Sequence, residues 1–190
     1  MRRVLFFLAI LLGTTIMAFT GESMGKTAAD YGAETVLIIH YHRYSGNYDG
    51  WNLWVWPNMP ASLDGKSYVF DRSDEFGVVS TVKFSTKHNR LGYIVRLNDW
   101  QAKDVNADRF VDIPESGVAE IWVIEGEYDH VTDPATIDLR PRIKVAFLDS
   151  LNEIYASLSA PVDTKMAEAK VLVKNEQIGR ASCRERVYHP

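Results

Sequence analysis

From Thr35 to Val131 the apolar residues fall in short alternating runs separated by turn residues, which is the period of strands rather than of helices. Thr35–Arg43 is the first run, and the turn-rich loop Tyr44–Gly50 follows it. Trp51–Trp56 is the second, expected to stop at Pro57 because proline donates nothing to a sheet ladder. Gly65–Phe70, Val78–Phe84, Leu91–Asn98, Phe110–Ile113 and Val118–Glu125 continue the series, with turns at Asp64-Gly65, Phe76-Gly77 and Ser116-Gly117. About seven strands in about 100 residues is the size and strand count of an immunoglobulin-like β-sandwich, so the fold is predicted to be all-β. Asp133-Pro134 marks a boundary, after which a strand pattern restarts over Ile137–Leu148 and breaks at Ala160–Asp163. The stretch 134–177 is too short for a core of its own, and reads as the start of a second β domain.

The two ends follow other patterns. Arg2 and Arg3 precede the apolar run Val4–Leu12, which Gly13 halts; this is the layout of a secretory signal peptide over residues 1–18, with Ala18 a suitable cleavage position. The run falls short of the roughly 20 residues that a membrane-spanning helix needs. The mature chain is therefore expected to be secreted or extracytoplasmic and free of the membrane once cleaved. Residues 19–34, small and polar from Glu22 to Tyr31, read as a tether. At the other end Ile178–Val187 fits neither strand nor helix and resembles the in-frame translation of a short-read sequencing adapter. Residues 178–190 are accordingly expected to be a non-native tail, with the natural frame lost near Gln177.

Composition narrows the function classes. The 190 residues are 46% hydrophobic and 24% charged, which excludes disorder. The single Cys, itself in the tail, excludes a disulfide scaffold and a thiolate-rich metal site. Formal net charge is −4, and becomes −8 for residues 19–177 once two Arg at the start and three Arg with one Glu at the end are set aside. An acidic monomer with no nucleic-acid partner is implied. The aromatic share of 12%, with 5 Trp and 9 Tyr, exceeds what the core needs, so some rings are expected on the surface.

Trp51–Trp56 says where. Side chains of a strand alternate, so Trp51, Leu53 and Val55 share one face and Asn52, Trp54 and Trp56 the other. Leu53 and Val55 mark the first face as core, which sets two indoles about 7 Å apart on the opposite face. That is the scale of successive sugar rings, and the apolar face of a pyranose packs on an indole. The polar loop Asn98–Arg109 carries the amides, carboxylates and ammonium that hydrogen-bond sugar hydroxyls. The alternative is that the indoles are packing residues of an immunoglobulin-like structural or protein-interaction domain. His40 and His42 share a face, but with only His88 or a distant carboxylate as third ligand no metal or other cofactor is expected. Asp99, Asp104 and Asp108 could supply a glycosidase pair, yet so small a sandwich lacks the cleft that would hold a distorted sugar. No catalytic residue is expected in this chain.

The stretches His40–Tyr44, Tyr48–Trp56 and Val95–Asp104 together closely resemble family 41 carbohydrate-binding modules, which stand at the N-termini of bacterial pullulanases. The resemblance spans 35–131. It implies a β-sandwich that binds α-1,4-linked glucans such as maltooligosaccharides, starch and pullulan, with the family's two stacking tryptophans, lysine and aspartate falling on Trp54, Trp56, Lys103 and Asp108. It also implies a starch-debranching glycoside hydrolase whose catalytic domain lies beyond this chain, residues 141 onward being similar to the module that follows.

Overall fold

The computed structural model describes residues 21–150 and 153–160; the signal segment and the tail lie outside them. The described residues fall into two compact units divided between Asp138 and Leu139. The first unit holds nine strands: β1 (Thr35–His42), β2 (Trp51–Met59), β3 (Lys66–Val69), β4 (Arg72–Ser73), β5 (Val78–Phe84), β6 (Arg90–Leu97), β7 (Ala102–Lys103), β8 (Arg109–Asp112) and β9 (Val118–Ile124). One sheet runs β4-β5-β1-β9, with β1 and β9 parallel. The other runs β3-β2-β6-β7, and β8 pairs with the same edge of β6 as β7. Leu37, Ile39, Tyr41, Ile121 and Val123 of the first sheet meet Leu53, Val55, Leu91, Tyr93 and Val95 of the second in one core. This is the expected all-β sandwich.

Differences from expectation have local causes. β2 continues through Pro57 to Met59, because β3 pairs only with Asn52–Val55 and leaves Pro57 without a neighbour that would need its missing N–H. β4 and β7, two residues each, are too short to show a period. In the second unit the strand pattern read from Ile137 begins only at Ile143: Pro134–Thr136 forms a 3₁₀ turn capped by Asp133, and β10 (Ile143–Ser150) pairs antiparallel with β11 (Glu153–Leu158).

β1 is buried along all but its last residue because it is covered on both faces. Its outer residues Val36 and Ile38 cluster with Val79, Val118 and Ala28, and Tyr31 and Ala33 pack on them. Residues 21–33, expected as a tether, are thus laid on the first sheet. The 3₁₀ turn Ala28–Tyr31 is entered through Thr27, whose N–H and hydroxyl both donate to Asp30.

The same face buries an ion cluster. His40, 3% exposed, donates through Nδ1 to Asp74 at 2.6 Å and through Nε2 to Glu120 at 2.8 Å, and stacks on Trp122. Glu120 also accepts the main-chain N–H groups of Glu22 and Ser23. His42 reaches the carbonyl of Phe76. The His-x-His pair therefore has protein partners of its own. Burial opposes the charge on His40, but the Glu120 and Asp74 hydrogen bonds outweigh it and raise its pKa above 6.5. Burial pushes Glu120 upward as well, yet hydrogen bonds from His40 and the Glu22–Ser23 segment bring it from 4.5 down to about 2. The contribution of His40 is complete below pH 6.5 and fades as pH rises through its raised value; that of Glu120 is complete above pH 4.5 and fades as pH falls toward 2. His40→Ala is expected to cost about 3 kcal/mol. The loss should be largest between pH 4.5 and 6.5. Urea unfolding of both proteins across pH checks this; a pH-independent difference would contradict it.

Candidate functional site

The solvent face of the second sheet follows from its register. Asn52 sits opposite Val69 on one side and Arg96 on the other; Trp54 lies between Ser67 and Ile94; Trp56 is opposite Gly92, which is opposite Phe110. Leu53 and Val55 are fully buried and Trp51 packs half-buried on the core, so the two faces of β2 divide as its alternation requires. Small neighbours give the indoles room. A Cβ on Gly92 would fall within the Trp56 ring, and one on Gly65 within that of Trp54. Trp56 meets Phe110 edge to face at 5.8 Å between centroids.

Trp54 has a second indole beside it, from a loop. Trp100 lies 5.5 Å away with its ring tilted by 59°. It is 43% exposed, at φ 67°, just after Asn98 at φ 48°. A bulky residue rarely adopts this left-handed conformation, and such strain persists only where surroundings impose it. Here the main chain closes a tight turn, with the Gln101 N–H on the Leu97 carbonyl at 3.0 Å and the Asn98 N–H on that of Gly50 at 2.7 Å. Asn52 adds a bond to the Asn98 carbonyl at 2.9 Å. Arg96 lies over both rings and the Lys103 ammonium stands 5.6 Å from the Trp100 centroid.

The segment between β7 and β8 is pinned from within. Asp104, its side chain 1% exposed, accepts from Arg109 at 2.6 Å, from the Tyr41 hydroxyl at 3.0 Å and from the Gly126 N–H at 2.9 Å. Burial above all, with Asp104 beside it, pushes the Tyr41 pKa far up, so its hydroxyl stays a donor. This anchor is spent on structure, which removes Asp104 from any carboxylate pair. It leaves Lys103 at one end of the segment and exposed Asp108 at the other, one residue ahead of the Tyr93–Arg109 pair.

Of the four residues singled out from sequence, Trp54 and Trp56 thus share an outer face, Lys103 leans on Trp100, and Asp108 is exposed just before β8. Sequence reasoning missed Trp100 and Arg96. Trp100 was visible only as one aromatic in a polar loop, since its direction depends on backbone angles that periodicity does not report. Arg96 alternates with Val95 and Leu97 in β6, and that alternation was the available signal.

The Bacterial pullanase-associated domain family (PUD) matches residues 35–132, just over half of the chain. The chain belongs to this family. Over 91 residues this PUD chain is 36% identical to an alpha-amylase of Streptomyces lividans, a match covering 46% of the chain and 10% of the amylase. Among solved structures it is similar to the multi-modular glycogen-degrading pneumococcal virulence factor SpuA, at 16% identity and a TM-score of 0.45 over 67% of this chain and 13% of that one. It is also similar to family 41 carbohydrate-binding modules from streptococcal virulence factors, at 20% identity and TM-score 0.42 over 55% and 50% of the two chains. Klebsiella pneumoniae pullulanase complexed with maltotriose gives 18% and 0.43 over 54% and 11%. The match therefore spans a tenth of the amylase and at most half of these structures.

Proposed function

We propose that the PUD unit is a non-catalytic module that binds α-1,4-linked glucans through the solvent face of its second sheet, in the manner of family 41 modules. The observation that carries this is the pair of indoles, half-buried Trp54 and exposed Trp100, 5.5 Å apart and tilted by 59°, with Trp56 two residues along the same face. Tilted rings suit the curved course of an α-1,4 chain, whereas the flat ribbon of a β-1,4 chain wants coplanar ones. Lys103 and Asp108 then orient hydroxyls by directional hydrogen bonds, and a sugar of the wrong geometry leaves those groups unpaired. The single module is assigned micromolar to tens-of-micromolar affinity, about −6 to −8 kcal/mol. In the whole protein it would hold the catalytic domain of a secreted pullulanase-type enzyme at high local concentration on polymer, the residues from 134 to 177 starting the next module.

Isothermal titration with maltotetraose and cellotetraose tests the reading. Binding of the first only, little changed by added salt because the contacts are stacking and short-range hydrogen bonds, is the expected result. Equal affinity for both, or none for maltotetraose, would overturn it in favour of a protein-interaction surface.

A further inference from the structure

Arg96 is 4% exposed on the outer face of the second sheet, beyond Ile94 at 6%. Its guanidinium carbon lies 4.8 Å from the Trp54 ring centre and 4.4 Å from that of Trp100, and these two centres are 5.5 Å apart. The three points form a compact triangle whose longest side joins the two rings. The cation therefore fills the wedge between the tilted indoles, where it is attracted to both π faces. Its edge is held too: Nε donates to Asn52 Oδ1 at 3.0 Å and Nη1 to Asp99 Oδ1 at 3.1 Å. One side chain thus joins β2, through Asn52 and Trp54, to the left-handed loop, through Asp99 and Trp100. A planar group with donors on its rim and apolar faces does this; an ammonium does not.

We propose that Arg96 is the positioning residue of this face, fixing the angle between Trp54 and Trp100. Without the cation in the wedge, Trp100 loses what holds it off Trp54, and the two rings are free to collapse together or swing apart. Given the glucan-binding reading, on which only this consequence rests, the ligand would then meet an unformed surface and would have to order it on binding.

The test uses the full chain carrying Arg96→Met, Arg96→Lys or Asp99→Ala. Two close, tilted indoles give an exciton couplet in far-ultraviolet circular dichroism, and Trp100→Ala assigns it by abolishing it. Both Arg96 variants should lose most of the couplet while still unfolding cooperatively, and bind maltotetraose about tenfold more weakly. Lysine, keeping only the charge, should not rescue. Asp99, whose side chain is 91% exposed, can be removed without threat to folding, and Asp99→Ala should weaken both signals in part. A merely structural Arg96 would shift the unfolding midpoint and leave the couplet of the folded protein intact. Wild-type couplet and affinity in Arg96→Lys would overturn the proposal; if the Arg96 variants do not fold, an unchanged couplet in Asp99→Ala overturns it. A wild type that ignores maltotetraose overturns the glucan reading instead, and the couplet still decides the role of Arg96.

Discussion

Replacing Trp54 by alanine is expected to lower affinity for maltotetraose by about 100-fold or more, the loss typical of a central aromatic anchor. Trp54 is the shared member of the site: it flanks Trp100, lies under Arg96 and stands two residues from Trp56. Its removal deletes one stacking surface and releases the cation that shapes the other. Trp100→Ala also takes one wall from the Arg96 wedge but leaves Trp54 and Trp56 together on the sheet, and should lose less. Stability should change little in either case, since both rings lie outside the core, by about 1 kcal/mol. Titration calorimetry with parallel urea unfolding separates the two effects. Trp54→Ala binding within threefold of wild type would remove the indole pair from the site.

The second large effect is expected in folding. Asp104→Ala takes from Arg109, whose side chain is 3% exposed, the carboxylate that neutralises it. It also strips an acceptor from the Tyr41 hydroxyl and the Gly126 N–H. An uncompensated buried charge costs about 3–5 kcal/mol. A domain of this size has about 5–15 kcal/mol in all, so unfolding should begin at far lower denaturant. Removing the guanidinium as well, in Asp104→Ala with Arg109→Met, should restore part of the loss, because the charge is then gone from both sides. A single-variant cost below about 1 kcal/mol would show that water reaches the pair.

The framework of this protein was legible wherever one face of a strand is buried and the other wet. β2 and β8 show the alternation, and the partition of Trp51, Leu53 and Val55 from Trp54 and Trp56 could be made from spacing alone. β1 could be recognised as a strand, but not the reason both of its faces are buried, because Ala28 and Tyr31 cover it from outside the run. Pro57 misled because its tolerance depends on where β3 ends, a matter of pairing and not of local sequence. In the site, Trp54, Trp56, Lys103 and Asp108 could be singled out as residues but not assembled. What brings Trp100 over Trp54 is a pair of left-handed residues and a buried arginine, and neither has a period. Asp104 was readable as a carboxylate; only the three donors around it show that it is taken.

The N-terminal segment bears on how the protein can be handled. The family match starts at residue 35, yet the first sheet is already being covered from Gly21 onward. A protein trimmed to 35–132 would bare Val36, Ile38 and Val118 and leave Glu120 without the donors of Glu22 and Ser23. A sheet with an uncovered aliphatic face offers itself to other copies, and such material self-associates or precipitates. Its insolubility could then be mistaken for an inability to bind sugar, although the indoles stand on the opposite sheet. A soluble form of the module should begin no later than Gly21.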